Sequence, residues 1–504
     1  MLRAFAMITV MGIAFDLSSL LGWAHPVFGS VVTGAIVFGV GVASIRDIRW
    51  GIAAVLLELL WGSHGHALHV VMGNMSISLR IGLFAVVSIA TLYHLRDANA
   101  RRLLTTVFRT HPARWPSAFV LASVLLAGVL GTLRHPLSRF VGDANAWGFL
   151  LLVPAFMLAQ SRVPNDRHST FHIPHSTFVS FFLFSALYLI LRFLVLLFLF
   201  SHDLGGLWLG LYQWVRDTRL GEVTVSAMGF PRVFLPSMVL LFPAVLLAAA
   251  RMTTDADGSP RITRMLAYAV FGGGVATLLA SLSRSYWLAF IVLVAIGMAW
   301  GIYAWRRSHY SLIRTNRRIV RTVVYATGSA VLMILLAVAL VRLPYPRPLS
   351  TGGFGATLAA RIASDVAVSN RWQQLPPLRA ALAQHPILGS GFGASVTYES
   401  KDPRTLAAFP DGRYTTTAFE WGYLDDVLER GFLGLIAELW LVGSLIWRGC
   451  RRGGEAAALA LGLLAIAVVH VTSPYLNHPL GLGVLLVLLV ATAGRGEVRA
   501  SRGE

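Results

Sequence analysis

Long apolar runs separated by short polar segments dominate the chain. Runs such as residues 239–250 contain no charged side chain and do not alternate between apolar and polar positions. Short alternating segments would predict the strands of a membrane barrel. Uninterrupted runs near 20 residues instead fit helices that cross a hydrocarbon core of about 30 Å. Because a helix satisfies its own backbone hydrogen bonds in lipid, the pattern predicts an all-α fold, a polytopic transmembrane helical bundle.

About fourteen of these runs are long enough to be membrane spans. We expect the spans near residues 4–22, 29–44, 52–72, 76–94, 117–134, 147–161, 177–200, 231–250, 264–282, 286–304, 322–342, 432–447, 455–472 and 479–494. Residues 1–342 then hold spans 1 to 11, and residues 432–504 hold spans 12 to 14 and a basic tail. We expect residues 343–431 to form one large extracytoplasmic loop of short helices that carries most of the candidate functional residues.

Composition agrees with a membrane protein. Of the 504 residues, 56% are hydrophobic and only 13% are charged, whereas a soluble domain carries about a quarter charged residues. The formal charge of +19 would suggest nucleic acid in a soluble protein. Here the arginines gather in short loops, so we interpret them as topology signals and expect no nucleic-acid partner. The single cysteine, Cys450, excludes an internal disulfide framework, and the first apolar run reads as a retained span.

The arginine-rich connections predict the sidedness of the chain. They are Arg46/Arg49, Arg101/Arg102/Arg109/Arg114, Arg251/Arg261/Arg264, Arg306/Arg307/Arg314/Arg317/Arg318 and Arg448/Arg451/Arg452, with a basic tail at Arg495/Arg499/Arg502. With fourteen spans, all of them fall on one face together with both termini. That face is expected to be cytoplasmic. The opposite face then holds residues 201–230, 283–285 and 343–431.

Arg284 breaks the positive-inside pattern. It lies in Ser283-Arg284-Ser285-Tyr286-Trp287, between two spans joined by almost no loop. A charge at membrane depth is costly unless it is paired or functional. It is either an interfacial arginine beside an aromatic belt or an anion site, which suits phosphate because guanidinium offers a planar bidentate fork.

The predicted outer loop holds further candidates. Arg361 and Arg371-Trp372 precede a glycine-rich run at Gly389, Gly391 and Gly393, which either allows backbone to approach a ligand or makes a turn. The run follows no strand–helix unit, so a nucleotide fold is not expected.

The end of this loop offers a carboxylate. A helix over residues 419–430 would place Glu420, Tyr423 and Leu424 on one face, and Asp425-Asp426 on the helix surface. Glu420 is either half of an ordinary ion pair or a general base. The histidine groups His64-Gly-His66-Ala-Leu-His69 and His168/His172/His175 have no acidic or cysteine partners nearby, so we expect no metal site.

Four of these elements, in this order, resemble those of the O-antigen ligase/polymerase superfamily of membrane glycosyltransferases. They are Ser283-Arg284-Ser285-x-Trp287-Leu288, Arg371-Trp372 with Pro386-x-x-Gly389-x-Gly391, Leu424 with Glu429-x-Gly431-x-x-Gly434, and Thr472-Ser-Pro-Tyr-Leu-Asn477. The similarity covers roughly residues 230–490. In one departure, Glu420 and Trp421 stand where the family's ligases have a histidine motif, and this tilts the expectation towards a polymerase.

The resemblance implies a multi-pass protein of the bacterial inner membrane with a periplasmic active site. It also implies an undecaprenyl-diphosphate-linked oligosaccharide as substrate, without metal or cofactor. Arg284, Arg371 and Arg361 would hold the diphosphate, Gly389, Gly391 and Tyr423 would line the substrate site, and Glu420 would be the base. Membrane lipids, a chain-length regulator and a flippase are the expected partners.

Alternative functions remain at this stage. An O-antigen ligase would transfer the glycan to lipid A-core or to protein. A lipid-linked glycan transporter would carry charged residues inside several spans, but such charges are few here, and Arg192 and Glu58 are the clearest. A non-catalytic scaffold would need no arginine at the outer membrane edge.

Overall fold

The computed structural model describes residues 2–73, 75–161, 175–225, 229–254, 261–307, 312–349, 353–363, 366–400 and 403–493. Helices account for most of them. The first half of the chain contains α1 (Leu2–Ala24), α2 (Pro26–Arg46), α3 (Ile48–Trp61), α4 (Leu79–His94), α5 (Ala98–Thr110), α6 (Arg114–Arg134), α7 (Leu137–Ala144), α8 (Val153–Ser161), α9 (His175–Ser201) and α10 (Leu207–Asp217). The second half contains α11 (Leu241–Thr254), α12 (Arg261–Ala280), α13 (Arg284–Arg307), α14 (Leu312–Val341), α15 (Phe354–Ala363), α16 (Val366–Gln384), α17 (Pro403–Ala408), α18 (Gly422–Arg452), α19 (Gly454–His470) and α20 (Pro479–Ala491).

Strands are few and short. The described residues form three antiparallel hairpins: β1 (His69–Met72) with β2 (Met75–Ser78), β3 (Glu222–Thr224) with β4 (Arg232–Phe234), and β5 (Val396–Glu399) with β6 (Arg413–Thr416). In the third, Tyr398 lies opposite Tyr414. Short 3-10 helices at Trp147–Leu152 and Pro236–Leu240 lead into α8 and α11. The all-α prediction is therefore confirmed for the body of the chain.

Eight of the described helices are long and apolar enough to cross a membrane. They are Arg3–Ala24, Pro26–Arg46, Arg114–Arg134, Val179–Ser201, Pro236–Thr253, Arg284–Tyr303, Arg321–Val341 and Gly422–Arg452. The number rises to ten if α4 with α5, bent by 108°, and α7 with the following helix, bent by 50°, each count as one span. Arg264–Ala280, Gly454–His470 and Pro479–Ala491 are apolar but shorter. The chain is a multi-pass membrane protein, and the count of fourteen crossings stays a prediction.

Several of the long helices expose apolar side chains that a membrane would cover. In Arg284–Tyr303, for example, only 17% of the span window is buried inside the protein, whereas 72% of Pro236–Thr253 is buried. A bundle in lipid keeps apolar residues on its outer surface. Arg284–Tyr303 is therefore a peripheral helix of the bundle, and Pro236–Thr253 is a central one. α9, α11, α19 and α20 supply many of the residues in the main core.

A smaller core lies under the segment between α14 and α18. Leu378 of α16, Val396 of β5 and Leu428 of α18 are buried together with Ala394 and Phe419. This cluster packs the segment onto the beginning of α18. It fixes where the residues around Arg371 and Glu420 lie.

Polar contacts between distant loops divide the helix ends into two sets, which we call the basic end and the motif end. At the basic end, Arg251 pairs with Glu455, and Arg448 donates to the carbonyl of Pro112. The motif end holds the starts of α13, α18 and α20 and the ends of α1, α3, α6, α12, α14 and α19. Its contacts include the Trp23 indole with Asp217 and the peptide N–H of Gly393 with Asp143.

Candidate functional site

The motif end brings together the four sequence elements on which the family resemblance depends. The Ser285 hydroxyl lies 3.5 Å from that of Ser473, and the Tyr286 hydroxyl lies 3.0 Å from that of Tyr475. Tyr286 is completely buried. The element around Arg284 is therefore packed directly against residues 472–477.

The segment 472–477 also contacts α18. The Asn477 amide donates to Oδ2 of Asp425 at 3.1 Å. His470, at the end of α19, donates through Nε2 to Oδ2 of Asp426 at 2.8 Å. Its Nδ1 accepts the peptide N–H groups of Tyr475 and Leu476, each at 3.0 Å. Both ring nitrogens are thus occupied, which makes His470 an anchor for this segment and excludes it as a base in this arrangement.

The glycine-rich run lies against α18 and the end of α6. The peptide N–H of Ser390 donates to the carbonyl of Leu428 at 2.7 Å, and that of Gly391 donates to the carbonyl of Glu429 at 3.0 Å. On its other side, the peptide N–H of Phe392 donates to the carbonyl of Ala127 at 3.1 Å, and that of Gly393 donates to Oδ2 of Asp143 at 2.7 Å. The glycine-rich run therefore lies between α6 and α18 and is hydrogen-bonded to both.

Gly389 and Gly391 are required by this packing. Both have positive φ, at +77° and +89°. A Cβ on Gly389 would lie 2.4 Å from the Glu429 carbonyl oxygen, and one on Gly391 would lie 2.4 Å from the Gly131 nitrogen. The turn and the close approach explain both residues. Their predicted contact with substrate stays a prediction.

Arg371 and Glu420 meet at the surface of the motif end. The Arg371 Nε–H donates to Oε2 of Glu420, and the two side chains are 27% and 52% exposed. The Trp421 indole donates to the Arg371 carbonyl at 3.0 Å and packs edge-on against Trp372, whose ring is also exposed. The expected helix over 419–430 is wrong at its start: α18 begins at Gly422, because Trp421 has non-helical backbone angles. Glu420 therefore lies on a turn rather than on the face of a helix.

α18 carries buried charged residues, two of which were predicted to lie on its surface. Asp425 and Asp426 are 5% and 0% exposed, so the expected surface position of this pair is wrong. Arg430 Nη2 donates to Oδ1 of Asp426 at 2.6 Å and also to Glu438, and its guanidinium lies 4.0 Å from the centre of the Trp147 ring. Burial of these charges is tolerated because they neutralise one another.

Asp426, Glu438 and His470 form the one group in the described part of the chain with the ligand types and spacing of a metal site. Their potential ligand atoms all lie within 4.8 Å of one another. The Arg430 guanidinium already donates to both carboxylates, and a dication there would repel it. The donor set therefore fits an arginine-centred ion network better than a metal.

Two acidic oxygens beside this network lack a hydrogen-bond partner among the described residues. They are Oδ1 of Asp425 and Oε2 of Glu429, both on α18. Buried polar atoms are normally satisfied. These two oxygens are exceptions to that rule within the buried acidic part of α18.

The remaining predicted site residues fall as follows. Arg284 begins α13 directly after the Ala280–Ser283 turn, as expected from the absence of a loop, and is partly exposed. Tyr423 donates to the carbonyl of Ala467 at 2.8 Å and packs edge-on against His470, so it ties α18 to α19. Arg361 lies in α15, but its side chain is outside the described residues.

One histidine group contains an unexpected contact. His478 accepts the Leu480 peptide N–H through Nδ1 at 3.2 Å, so its Nε2–H donates to Nδ1 of His64 at 3.3 Å. Desolvation, with Arg80 and Arg219 nearby, lowers the pKa of His64 to about 4. The pKa of His66 is lowered to about 4 by desolvation and the same two arginines. Positive neighbours do not suit a cation site.

The second group, His168/His172/His175, falls where side chains are outside the described residues.

The sequence did not predict that α6, α7 and the residues between them contact the glycine-rich run. Arg134 and His135 contact the carbonyls of Gly389 and Ser390 at 3.3 and 3.1 Å, and Asp143 accepts from Gly393. A signal was available: Arg134 and Arg139 lie on the face opposite the other arginine clusters in the fourteen-span scheme, as Arg284 does.

No protein-family model matches the chain, and no curated protein is significantly similar to it.

Proposed function

We propose that the protein is a metal-independent membrane glycosyltransferase that extends glycans carried on undecaprenyl diphosphate. The observation that carries this proposal is the convergence of the four resembling elements at one end of the bundle, although they are separated by up to about 190 positions in the chain, as in the Tyr286–Tyr475 contact. The elements were linked at first only by their order along the chain, which resembles that of the family, and in the structure they contact one another. This supports a shared site.

The transfer step assigns a role to each charged side chain. An acceptor sugar hydroxyl attacks the anomeric carbon of the lipid-linked glycan, a C–O bond forms, and the bond from that carbon to the diphosphate oxygen breaks. The polyprenyl diphosphate leaves with the electron pair, and the Glu420 carboxylate takes the hydroxyl proton. Arg284, Arg371 and Arg361 offset the charge that develops on the leaving group, an effect that contributes several kcal/mol when the groups are preorganised.

The exposed position of Arg371 and Glu420 suits this chemistry. A lipid-linked glycan must enter sideways and present a large polar head, so its groups cannot be bound in a closed cavity. Trp372, 57% exposed, and the neighbouring Trp421 offer apolar ring faces of the kind that sugars stack on. A polymerase is preferred over a ligase because Glu420 and Trp421 replace the ligase histidine motif.

The proposal includes fourteen crossings, with the basic end in the cytoplasm and the motif end in the periplasm of a bacterial inner membrane. Contacts between distant loops support this scheme. Trp23 with Asp217 and Gly393 with Asp143 each join loops that it assigns to the periplasm. Arg448 with Pro112 and Arg251 with Glu455 each join loops that it assigns to the cytoplasm.

A transporter of the same lipid-linked glycans is the second candidate, and one observation favours it. Arg430, Asp426 and Glu438 are buried within a membrane-spanning helix, and Arg192 of α9 pairs with Asp16 of α1. Charges within spans often mark transport pathways. These five side chains each have an opposite charge as partner, which equally fits a structural network.

Reconstitution into liposomes with an undecaprenyl-diphosphate oligosaccharide, followed by gel analysis, separates these functions. A ladder of longer glycans indicates a polymerase, one transfer to an added lipid or protein acceptor indicates a ligase, and movement of unchanged substrate across the bilayer indicates a transporter. Arg371→Ala should abolish the ladder, while Arg413→Ala, an exposed arginine of β6, should leave it unchanged. Ladder formation by Arg371→Ala at the wild-type rate would contradict the diphosphate role of Arg371.

A further inference from the structure

A cavity at the basic end has no part in the proposed transfer reaction. Its volume is about 360 Å³, and it is lined by Pro112, Trp447, Arg448, Arg451, Arg452 and Thr492. Three of these six residues are arginines and none is acidic. The cavity lies where the loop before α6, the last turn of α18 and the end of α20 meet.

The three arginines are held in different ways. Arg452 donates to the carbonyls of Ala491 and Ala493, the second at 2.6 Å, and so caps the end of α20. Arg448 donates to the Pro112 carbonyl at 3.4 Å, and its buried Nε has no hydrogen-bond partner in the described part of the chain. Arg451 stacks on the Trp447 ring at 4.3 Å and remains exposed. The cavity therefore presents guanidinium donors for which the described residues supply no carboxylate partner.

Exposed apolar side chains of α6 and α18 continue away from this cavity along the two helices, and we call them the apolar strip. Trp447 is 59% exposed, and about two and three turns further from the cavity Trp440 and Ile436 are exposed as well. Phe119 of α6 packs against Trp440 with ring centres 5.7 Å apart, and Trp115 lies one turn nearer the basic end. Exposed aromatic rings at the end of a membrane helix are typical of the level of lipid headgroups.

We propose that this cavity binds the phosphate of an anionic glycerophospholipid, with the acyl chains lying along the apolar strip of α6 and α18. A free phosphate would use the arginines but not the apolar strip, and a zwitterionic lipid would use the strip but place its own cation beside the arginines. Only an anionic lipid uses both. Basic pockets between membrane helices on the cytoplasmic side bind such headgroups in other proteins. The proposal does not rest on glycosyl transfer.

Native mass spectrometry of the delipidated full chain tests the site without any turnover. The probes are phosphatidylglycerol and phosphatidylcholine with identical acyl chains. Wild-type protein should retain phosphatidylglycerol preferentially. Arg451→Gln should weaken that binding about fivefold, the effect of one basic residue near a lipid surface, whereas Arg451→Lys should keep most of the preference. Arg102→Gln, which removes an exposed arginine of α5 outside the cavity, is the matched control.

Three outcomes would overturn the proposal. Equal retention of the two lipids would remove the charge recognition, and equal losses in Arg451→Gln and Arg102→Gln would leave only general surface attraction. Competition by inorganic phosphate at the lipid's own concentration would indicate a free-phosphate site. Stacking on Trp447 is the contact that the described residues give Arg451, so its substitution should not unfold the chain. Unchanged melting in phosphatidylcholine checks this.

Discussion

The pair formed by Arg371 and Glu420 is half exposed, and this decides how its chemistry can be tested. Exposed ion pairs contribute only about 0–1 kcal/mol to stability, so a loss of activity on substitution cannot be attributed to unfolding. We expect Glu420→Gln to lower the transfer rate by about 10²–10⁴-fold, the usual contribution of a general base. The rate of glycan extension in liposomes measures it, with Glu399→Gln, an exposed glutamate of β5, as control.

The transfer rate alone does not separate a base from a positioning residue. A base also changes the pH dependence of the rate: with Glu420→Gln, the acidic limb of the pH–rate profile should disappear. If the variant keeps both the wild-type rate and that limb, Glu420 is half of a structural ion pair, and the base must be sought elsewhere.

Arg430 lies in a setting opposite to that of Arg371, because it and its two acidic partners are almost wholly buried. Removing one partner of a buried ion network leaves uncompensated charge and costs about 3–5 kcal/mol. Arg430→Met should therefore lower the melting temperature strongly in detergent, whereas Arg413→Met at an exposed site should not. Equal melting of the two variants would show that water reaches the α18 network.

Histidines at the motif end predict a pH dependence of stability. The folded pKa of His64 and of His66 is about 4, below the usual 6.5 of an unfolded chain. Between these values the unfolded chain binds more protons, so stability present above pH 6.5 is lost as the pH falls towards 4.

The melting temperature should accordingly fall on acidification from pH 7 to pH 4.5, and it should fall less in His64→Gln. His385→Gln, which alters an exposed histidine outside this loop, is the control and should follow the wild type. A pH profile identical in His64→Gln and wild type would remove His64 from the explanation.

At the scale of elements, α18 depends on one glycine. Gly431 has φ +67° and interrupts the helical geometry between Arg430 and Phe432. A Cβ there would lie 2.1 Å from the Ile387 carbonyl oxygen. This kink allows Phe432 N–H to donate to the Pro386 carbonyl at 2.8 Å and so holds the glycine-rich run in place.

Gly431→Ala should therefore destabilise the protein by at least the 1–3 kcal/mol of a strained backbone position and abolish transfer. Gly443→Ala is the matched control, since that glycine lies in the regular part of α18 with open space around it and alanine favours a helix. Thermal unfolding and glycan extension are the two measurements. Equal stability of the two variants would show that the kink can straighten without cost.

The long helices could be predicted from the sequence, whereas their polar partners could not. Apolar periodicity and length indicated α1, α2 and α9 because lipid demands those runs. Glu438, His470 and Trp147 are far apart in the chain, and no local pattern joins them to Asp426. The start of α18 was misjudged for the same reason: Trp421 is fixed by the Arg371 carbonyl, 50 positions away. Of the candidate site, the Arg371–Glu420 pair and the position of Arg284 were accessible to sequence reasoning, and the supporting network was not.

For the whole molecule, the arrangement across the membrane is the step on which the rest depends. The native Cys450 is a reporter for one face, because it is exposed at the basic end of α18. Val471, 39% exposed, follows α19 at the motif end. α19 has 17 residues, or about 25 Å at 1.5 Å per residue, which is slightly less than the hydrocarbon thickness. Its crossing therefore separates the fourteen-span scheme from a scheme in which only the long helices cross.

A membrane-impermeant maleimide applied to spheroplasts tests this arrangement. Wild-type protein should be labelled at Cys450 only after permeabilisation, because the proposed scheme places the basic end in the cytoplasm. Val471→Cys in a Cys450→Ser background should be labelled in intact spheroplasts, because in that scheme α19 returns the chain to the periplasm, where lipid-linked glycans would meet Arg371 and Glu420. Cys450→Ser alone is the unlabelled control. Labelling of both positions from the same side would remove the α19 crossing and, with it, the shared face on which the proposed site is built.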